Sequence, residues 1–289
     1  MKLTNRKAAL RDIGILQEIE ADATPSNLYV YDNRHFYLDG QENRGEMILV
    51  LADGHPVGMG QFSLLPDGSG WLECLRVKKE FQHQGIGRQI YARYLELAEE
   101  YHCPSLAMYT GPKNLASRTL AEKNGFSLAG SFLQQNLSLA GRSFADPGEW
   151  KQVSDPDRIL ALLSRQASSW GSFLSLNNTY FHADSAFAAY VGKKGMVCSD
   201  GENTVILGTR MLPERGNWLV LAEGDLRRCL TFAAAETAAR GLPQLSAVFG
   251  SDRQDLAEGM EAFGFTEAGE RIVMERKGST QIRKEKKTL

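Results

Sequence analysis

Apolar positions in the first half of the chain change their spacing several times, and each change marks an element. Asp12 precedes Ile13, Leu16 and Ile19, which share one helical face, so it reads as the N-cap of a helix that follows a short strand over Arg6 to Ala9. Met47 to Ala52 and Val57 to Ser63 flank Asp53-Gly54-His55-Pro56, a turn that predicts an antiparallel hairpin. Trp71 to Val77 follows the turn Pro66-Asp67-Gly68 as a further strand. Beyond Gln82-His83-Gln84-Gly85-Ile86-Gly87-Arg88, the residues Ile90, Tyr91, Tyr94, Leu95 and Ala98 repeat at helical spacing, so a helix opens at the glycines. Leu106 to Thr110 reads as a strand, Leu115 to Lys123 as a helix stopped by Asn124-Gly125, and Phe132 to Leu139 as a final alternating strand.

The same pattern returns in the second half. Arg88 to Gly130 falls on Arg227 to Gly269 without a gap, with matches at Pro104/Pro243, Leu106/Leu245, Gly111/Gly250 and Glu122/Glu261. The run Gly125-Phe126-x-x-Ala129-Gly130 likewise matches Gly264-Phe265-x-x-Ala268-Gly269. Two copies of one fold follow from this internal repeat. Between them, Gly141 to Asp157 interrupts the apolar periodicity with prolines, glycines and scattered charge, as a linker does. The expected division is a domain over 1–144, a second over 145–276, and a basic flexible tail over 277–289.

Composition narrows the field. Lys plus Arg is 33 against 35 for Asp plus Glu, a net charge of -2 that gives no long-range attraction for a polyanion, so no nucleic-acid partner is expected. No stretch approaches the length of a membrane span and no signal-peptide core follows the basic N-terminus, so the expectation is a cytoplasmic protein without a membrane partner. Cys74, Cys103, Cys198 and Cys229 stand singly with no C-x-x-C pair and read as reduced thiols. His102 beside Cys103 lacks further ligands, and no metal is expected.

A strand, a short basic turn with glycines and then a helix is a device for holding phosphate. Unpaired backbone N–H groups of Gln84 to Arg88 point outward at the helix start, the helix dipole adds partial positive charge, and Arg88 adds a full one. Gly85 and Gly87 let a ligand approach the backbone; a tight turn before a helix is the alternative reading. Ile90 stands where a dinucleotide fingerprint needs its third glycine, and there is neither a G-x-x-x-x-G-K-[ST] motif nor a G-x-S-x-G elbow.

These residues resemble the GNAT superfamily of acyl-CoA-dependent N-acetyltransferases. Leu75-x-Val77 followed by Gln82-x-x-Gly85-x-Gly87 is similar to its pyrophosphate loop, and Asn114 with Glu122-Lys123-Asn124-Gly125-Phe126 is similar to its Asn-to-Gly-Phe segment. The resemblance implies an α/β (α+β) fold of two tandem GNAT-like domains, each a mixed, mostly antiparallel sheet flanked by helices. It implies acetyl-CoA as co-substrate, with pyrophosphate on Gln82, His83, Gln84, Gly85, Ile86, Gly87 and Arg88. The pantetheine arm would lie along the backbone of Leu75, Arg76 and Val77, within reach of Asn114. The reaction implied is acetyl transfer to a primary amine of a small molecule or protein by direct attack.

Such a transfer needs a neutral amine, and the resemblance places the general base on the strand before the loop, at Glu73; a half-exposed strand glutamate or a partner for Arg76 is the alternative. The usual tyrosine acid is replaced by Ala121, leaving Tyr109, Tyr91 or solvent. By strand alternation Cys74 faces away from Glu73 and reads as structural. Trp170, Phe173, Tyr180 and Phe181 read as core or as a pocket wall. The second copy, read without a gap, places Leu221, Glu223, Gly224 and Leu226 on Gln82, Gln84, Gly85 and Gly87. Acidic residues there oppose pyrophosphate, and no CoA binding is expected. The rival to an enzyme is a non-catalytic CoA-binding or sensing module, and the expected assembly is a monomer with an internal pseudo-dimer or a homodimer.

Overall fold

A computed structural model describes residues 1–24, 29–39 and 43–278. All but the first two residues of the tail expected over 277–289 lie outside the described residues. The chain forms two compact units. One holds residues 1–108 and 114–127 with the stretch from Met274, and the other holds 109–113 and 128–273.

The first unit starts with β1 (Leu3–Lys7) and a 3-10 turn at Leu10–Asp12, then α1 (Ile13–Ala23), α2 (Tyr29–Asp32) and α3 (Arg34–Leu38). The strand therefore lies earlier than Arg6 to Ala9. Asp12 does occupy the N-cap position of α1, but its carboxylate serves the preceding turn, accepting from Ala9 N at 2.9 Å and from the Arg6 guanidinium at 2.8 and 2.7 Å. The hydrogen bonds from Arg6 hold its pKa down at about 2. The predicted hairpin follows as β2 (Gly45–Ala52) and β3 (His55–Leu64), joined through Asp53 and Gly54 at φ 48° and 86°, the pair of positive values that a two-residue hairpin turn requires. Then come β4 (Gly70–Val77), α4 (Ile86–Glu100), β5 (Ser105–Thr110) and α5 (Leu115–Lys123).

β1, β2, β3 and β4 pair antiparallel in that order, while β4 and β5 run parallel. Tyr91, Tyr94, Ile86 and Ile90 of α4 are buried against the sheet. The helix approaches β3 at two glycines: a Cβ on Gly58 would sit 2.6 Å from Ile86 Cγ2, and one on Gly60 2.6 Å from Ile90 Cγ2. These close contacts fix where α4 begins. At mid-helix Arg93 ties helix to sheet, holding Glu46 at 3.0 Å, Glu96 at 3.1 Å and Glu100 at 2.8 Å. Arg93→Ala strands the half-buried Glu46 carboxylate and is expected to lower unfolding free energy by about 2 kcal/mol, read by urea denaturation.

The second unit contains β6 (Ser127–Ser138) from its second residue, β7 (Lys151–Gln152), α6 (Pro156–Trp170), the hairpin strands β8 (Leu174–Leu176) and β9 (Thr179–Phe181), and α7 (Ser185–Lys193). It continues through β10 (Val197–Ser199), β11 (Thr204–Gly208), β12 (Asn217–Glu223), α8 (Leu226–Ala239), β13 (Gln244–Gly250), α9 (Gln254–Phe263) and β14 (Thr266–Lys277), the last four residues of which belong to the first unit. β11 and β12 are antiparallel, β12 and β13 parallel, and β6 lies antiparallel to β13. Trp170, Phe173, Tyr180 and Phe181 are all buried in this unit as core. Both units thus carry a mixed, mostly antiparallel sheet flanked by helices.

Candidate functional site

The site is built where β4 changes course. Met59 pairs with Arg76 and Gln61 with Glu73, so β4 spends one residue more than β3 between the two pairs, a β-bulge, with Cys74 in the left-handed region at φ 56°. The hydroxyl of Tyr94 donates to Glu73 O at 3.3 Å and supports the bulge from α4. β4 pairs with β5 only through Gly70↔Leu106, Trp71↔Ala107 and Leu72↔Met108. Beyond Leu72 the two parallel strands are no longer paired. Lys78 N donates back to Val57 O at 2.9 Å, so by ladder alternation the neighbouring Val77 turns its N–H away from β3, toward the side where pairing has ended. An extended ligand arm can pair there as a strand would.

The expected phosphate loop follows directly. A 3-10 turn at Lys79–Phe81 leads through Gln82, His83 and Gln84, with His83 at φ 62°, to Gly85 at the N-cap of α4 with φ 91°. The first amide to close a turn with the loop is that of Gln89, on Gly85 O at 3.1 Å, so the amides of Gly85, Ile86, Gly87 and Arg88 precede it at the open helix end. Gln82 Nε2 donates to Val77 O at 3.3 Å and Gln84 Nε2 to Glu80 O at 2.7 Å, which braces the loop on itself. Arg88 folds back over the helix start: a Cβ on Gly85 would lie 3.3 Å from its guanidinium. A Cβ on Gly87 would meet Leu120 of α5 at 2.9 Å. Of the residues assigned to the pantetheine arm, Arg76 donates to Leu75 O at 3.0 Å. Asn114 caps α5, its Oδ1 accepting from Ser117 N at 3.2 Å.

Glu73 sits half-buried upstream of the loop, and two hydroxyls that sequence reasoning missed hold it. Tyr37 donates to Oε2 at 3.0 Å and Ser63 to Oε1 at 2.7 Å. Ser63 carried a faint signal, since Gln61 and Ser63 are polar at alternate positions of an otherwise apolar strand; Tyr37 carried none. Cys74 corrects an expectation. It does not face away from Glu73, because its thiol donates at 3.6 Å to the same Tyr37 hydroxyl that binds Glu73. The bulge breaks the alternation on which that expectation rested. Complete burial pushes the thiol pKa far up, so Cys74 is protonated and no nucleophile.

Ala121 is fully buried. Tyr91 is buried with its ring against Tyr94 and Phe126, and burial raises its phenol pKa, while Tyr109 packs on Tyr180 at 6.0 Å. Tyr91 therefore lacks the exposed hydroxyl of a ready proton donor.

In the second unit β12 repeats the bulge, with Ile206 opposite Leu221 and Leu207 opposite Leu219. It too pairs in parallel only from Asn217↔Leu245 to Leu219↔Ala247. The gapless correspondence does not extend upstream of the helix: Leu221 lies inside β12, fully buried, rather than in a loop matching Gln82. Between the end of β12 at Glu223 and the start of α8 at Leu226 stand only Gly224 and Asp225, so the loop that joins β4 to α4 has no counterpart here. Asp225 caps α8 with its own carboxylate, accepting from Arg228 N at 2.8 Å, and Glu223 pairs with Arg165 at 3.0 Å.

Among the described residues no cluster of His, Cys, Asp and Glu could hold a metal ion, and no helix is long and apolar enough to cross a membrane. Residues 14–126 match the model of the Acetyltransferase (GNAT) family. No curated protein matches the chain. A GCN5-related N-acetyltransferase from Sphaerobacter thermophilus has the same fold at TM-score 0.64 and 11% identity, over 95% of this chain and 95% of that one. A tandem GNAT protein from the clavulanic acid biosynthesis pathway aligns at TM-score 0.59 and 15% identity, over 96% of this chain and 98% of that one. A GCN5-related glucosamine N-acetyltransferase region of a fungal multi-domain β-N-acetylglucosaminidase aligns at TM-score 0.66 and 12% identity, over 94% of this chain and 38% of that one. With its glycine-bearing helix start, its bulged strand and this family match, residues 14–126 form a domain of the acetyltransferase (GNAT) family, in a chain built as a tandem of two GNAT-like folds.

Proposed function

We propose that the protein is an N-acetyltransferase that moves an acetyl group from acetyl-CoA to a primary amine of a small molecule or protein by direct attack in a ternary complex, with the chemistry in residues 1–144. The observation that carries this reading is the conjunction in one unit of an open helix start at Gly85 to Arg88, an unpaired stretch of β4 and a held carboxylate at Glu73. The bare amides and Arg88 suit the pyrophosphate of CoA, and the stretch Leu75 to Val77 suits the pantetheine arm.

A lysine-like amine, with a pKa of about 10.4, is mostly protonated at neutral pH and must lose a proton before its lone pair can attack. Glu73 takes that proton, directly or through a water. The amine nitrogen then bonds to the thioester carbon while the Val77 amide stabilises the oxygen that gains charge. As the intermediate collapses, the C–S bond breaks and the CoA thiolate leaves. The nitrogen sheds its second proton to solvent as the amide forms, and the thiolate takes one from solvent, because Ala121 offers none. The capped, loop-less second domain binds no CoA.

The buried Ala121 also favours a second reading, a CoA-binding module without turnover. Titration calorimetry with acetyl-CoA, followed by thiol release with tyramine, spermidine, glucosamine and an alanyl peptide, separates the two. One acetyl-CoA bound per chain with thiol release supports the enzyme, binding without release supports the module, and absence of binding overturns both.

A further inference from the structure

Two short hydrogen-bond chains converge on the Glu73 carboxylate, one on each oxygen. On the β3 side, the fully buried Gln61 donates through Nε2 to Ser63 Oγ at 3.3 Å, which leaves the Ser63 proton to reach Glu73 Oε1 at 2.7 Å. On the α3 side, the Cys74 thiol donates to the Tyr37 hydroxyl at 3.6 Å, and Tyr37 donates in turn to Glu73 Oε2 at 3.0 Å. Burial keeps Cys74 protonated and therefore a donor. The direction of every link is set from behind, since a hydroxyl that accepts from a neighbour has its own proton free for the next group.

The same face is lined by register. Gln61 stands directly across from Glu73, and Ser63 across from Trp71, so the side chains of one strand address those of the other without intervening backbone. Tyr37 is itself held by aromatic packing, with the Tyr29 ring 6.2 Å and the Phe36 ring 5.4 Å from its own. A carboxylate bonded on both oxygens cannot rotate about its last bond without breaking one contact.

We infer that Ser63 and Tyr37 are positioning residues for the proposed base: they lock the plane of the Glu73 carboxylate so that its remaining lone pairs face the incoming ammonium. Gln61 and Cys74 orient the two hydroxyls from behind. This inference rests on the reading of Glu73 as the base. A carboxylate so oriented receives the amine proton along a defined line, whereas a freely rotating one spends most of its time misaligned.

The test is a steady-state mutant cycle on the fastest of the four amines above. Ser63→Ala and Tyr37→Phe are each expected to lower kcat about tenfold, the loss of one hydrogen bond to a charged group, with KM for acetyl-CoA within about twofold. Ser63→Thr restores most of the rate because it keeps the hydroxyl. In a Glu73→Gln background, neither substitution lowers kcat further. Tyr37→Phe keeps the ring and its packing, so a folding defect in the Ser63 variant, visible in thermal melts, leaves the second arm intact. Unchanged kcat in both single variants, or the same tenfold loss in the Glu73→Gln background, overturns the inference while the base reading stands. Full activity of Glu73→Gln alone overturns the base reading and the inference with it.

Discussion

Glu73→Gln is expected to lower kcat for amine acetylation by about 10²- to 10³-fold, the usual contribution of a positioned base, and to leave the affinity for acetyl-CoA unchanged. Glutamine keeps the size of the side chain and an oxygen that can still accept from Ser63 or Tyr37, so the bulge and the hairpin register are retained. What is lost is the site that takes the proton. The loss should shrink as the assay pH rises toward the pKa of the amine, because a growing fraction of acceptor then arrives already neutral. Equal losses at pH 7 and pH 10 would instead mean that Glu73 holds structure and takes no proton.

Gly85→Glu is the second large effect: acetyl-CoA affinity by calorimetry should fall at least about 100-fold. Two causes act together. Gly85 has φ 91°, where a residue with a Cβ is strained by about 1 to 2 kcal/mol, and its amide begins the open run at the start of α4 to which the proposed function assigns the pyrophosphate. The carboxylate adds negative charge at that same helix end, as Asp225 does at α8 in the second unit. Gly85→Ala carries the strain without the charge, so its smaller loss separates the two. If Gly85→Glu binds acetyl-CoA as tightly as the native chain, the pyrophosphate lies elsewhere.

These two residues differ in how they were found. Gly85 is legible because a helix start of this kind is a local object: its glycines, its basic residue and its position after a strand all lie within a few neighbours. Glu73 was chosen by counting back along that strand, and the structure shows that strand to be irregular just past it. Its environment was not legible. Tyr37 comes from a short helix with no periodic pattern, and the orientation of Cys74 was misjudged because alternation assumes that no residue is inserted, whereas β4 carries a bulge.

The repeat was read in the same way, correctly where the two halves are regular. From Arg88 onward the helix, strand, helix and strand recur at one offset as α4, β5, α5 and β6 against α8, β13, α9 and β14. Upstream the offset fails, because β12 runs up to the helix and only Gly224 and Asp225 remain of the loop. Counting residues cannot reveal a deletion that an equally long stretch of other structure conceals.

By itself the amino-acid order determined most of the element types, the doubling of the fold and the glycine-bearing turn that opens α4. Each depends on contacts between residues near in the chain. The tertiary structure alone decided that β4 would bulge under the Tyr94 hydroxyl, that its pairing with β5 would stop at Leu72, and that Ser63 and Tyr37 would meet on the Glu73 carboxylate. Those outcomes come from packing between segments far apart in sequence, where side-chain volumes and hydrogen-bond geometry choose among arrangements that local periodicity leaves equivalent.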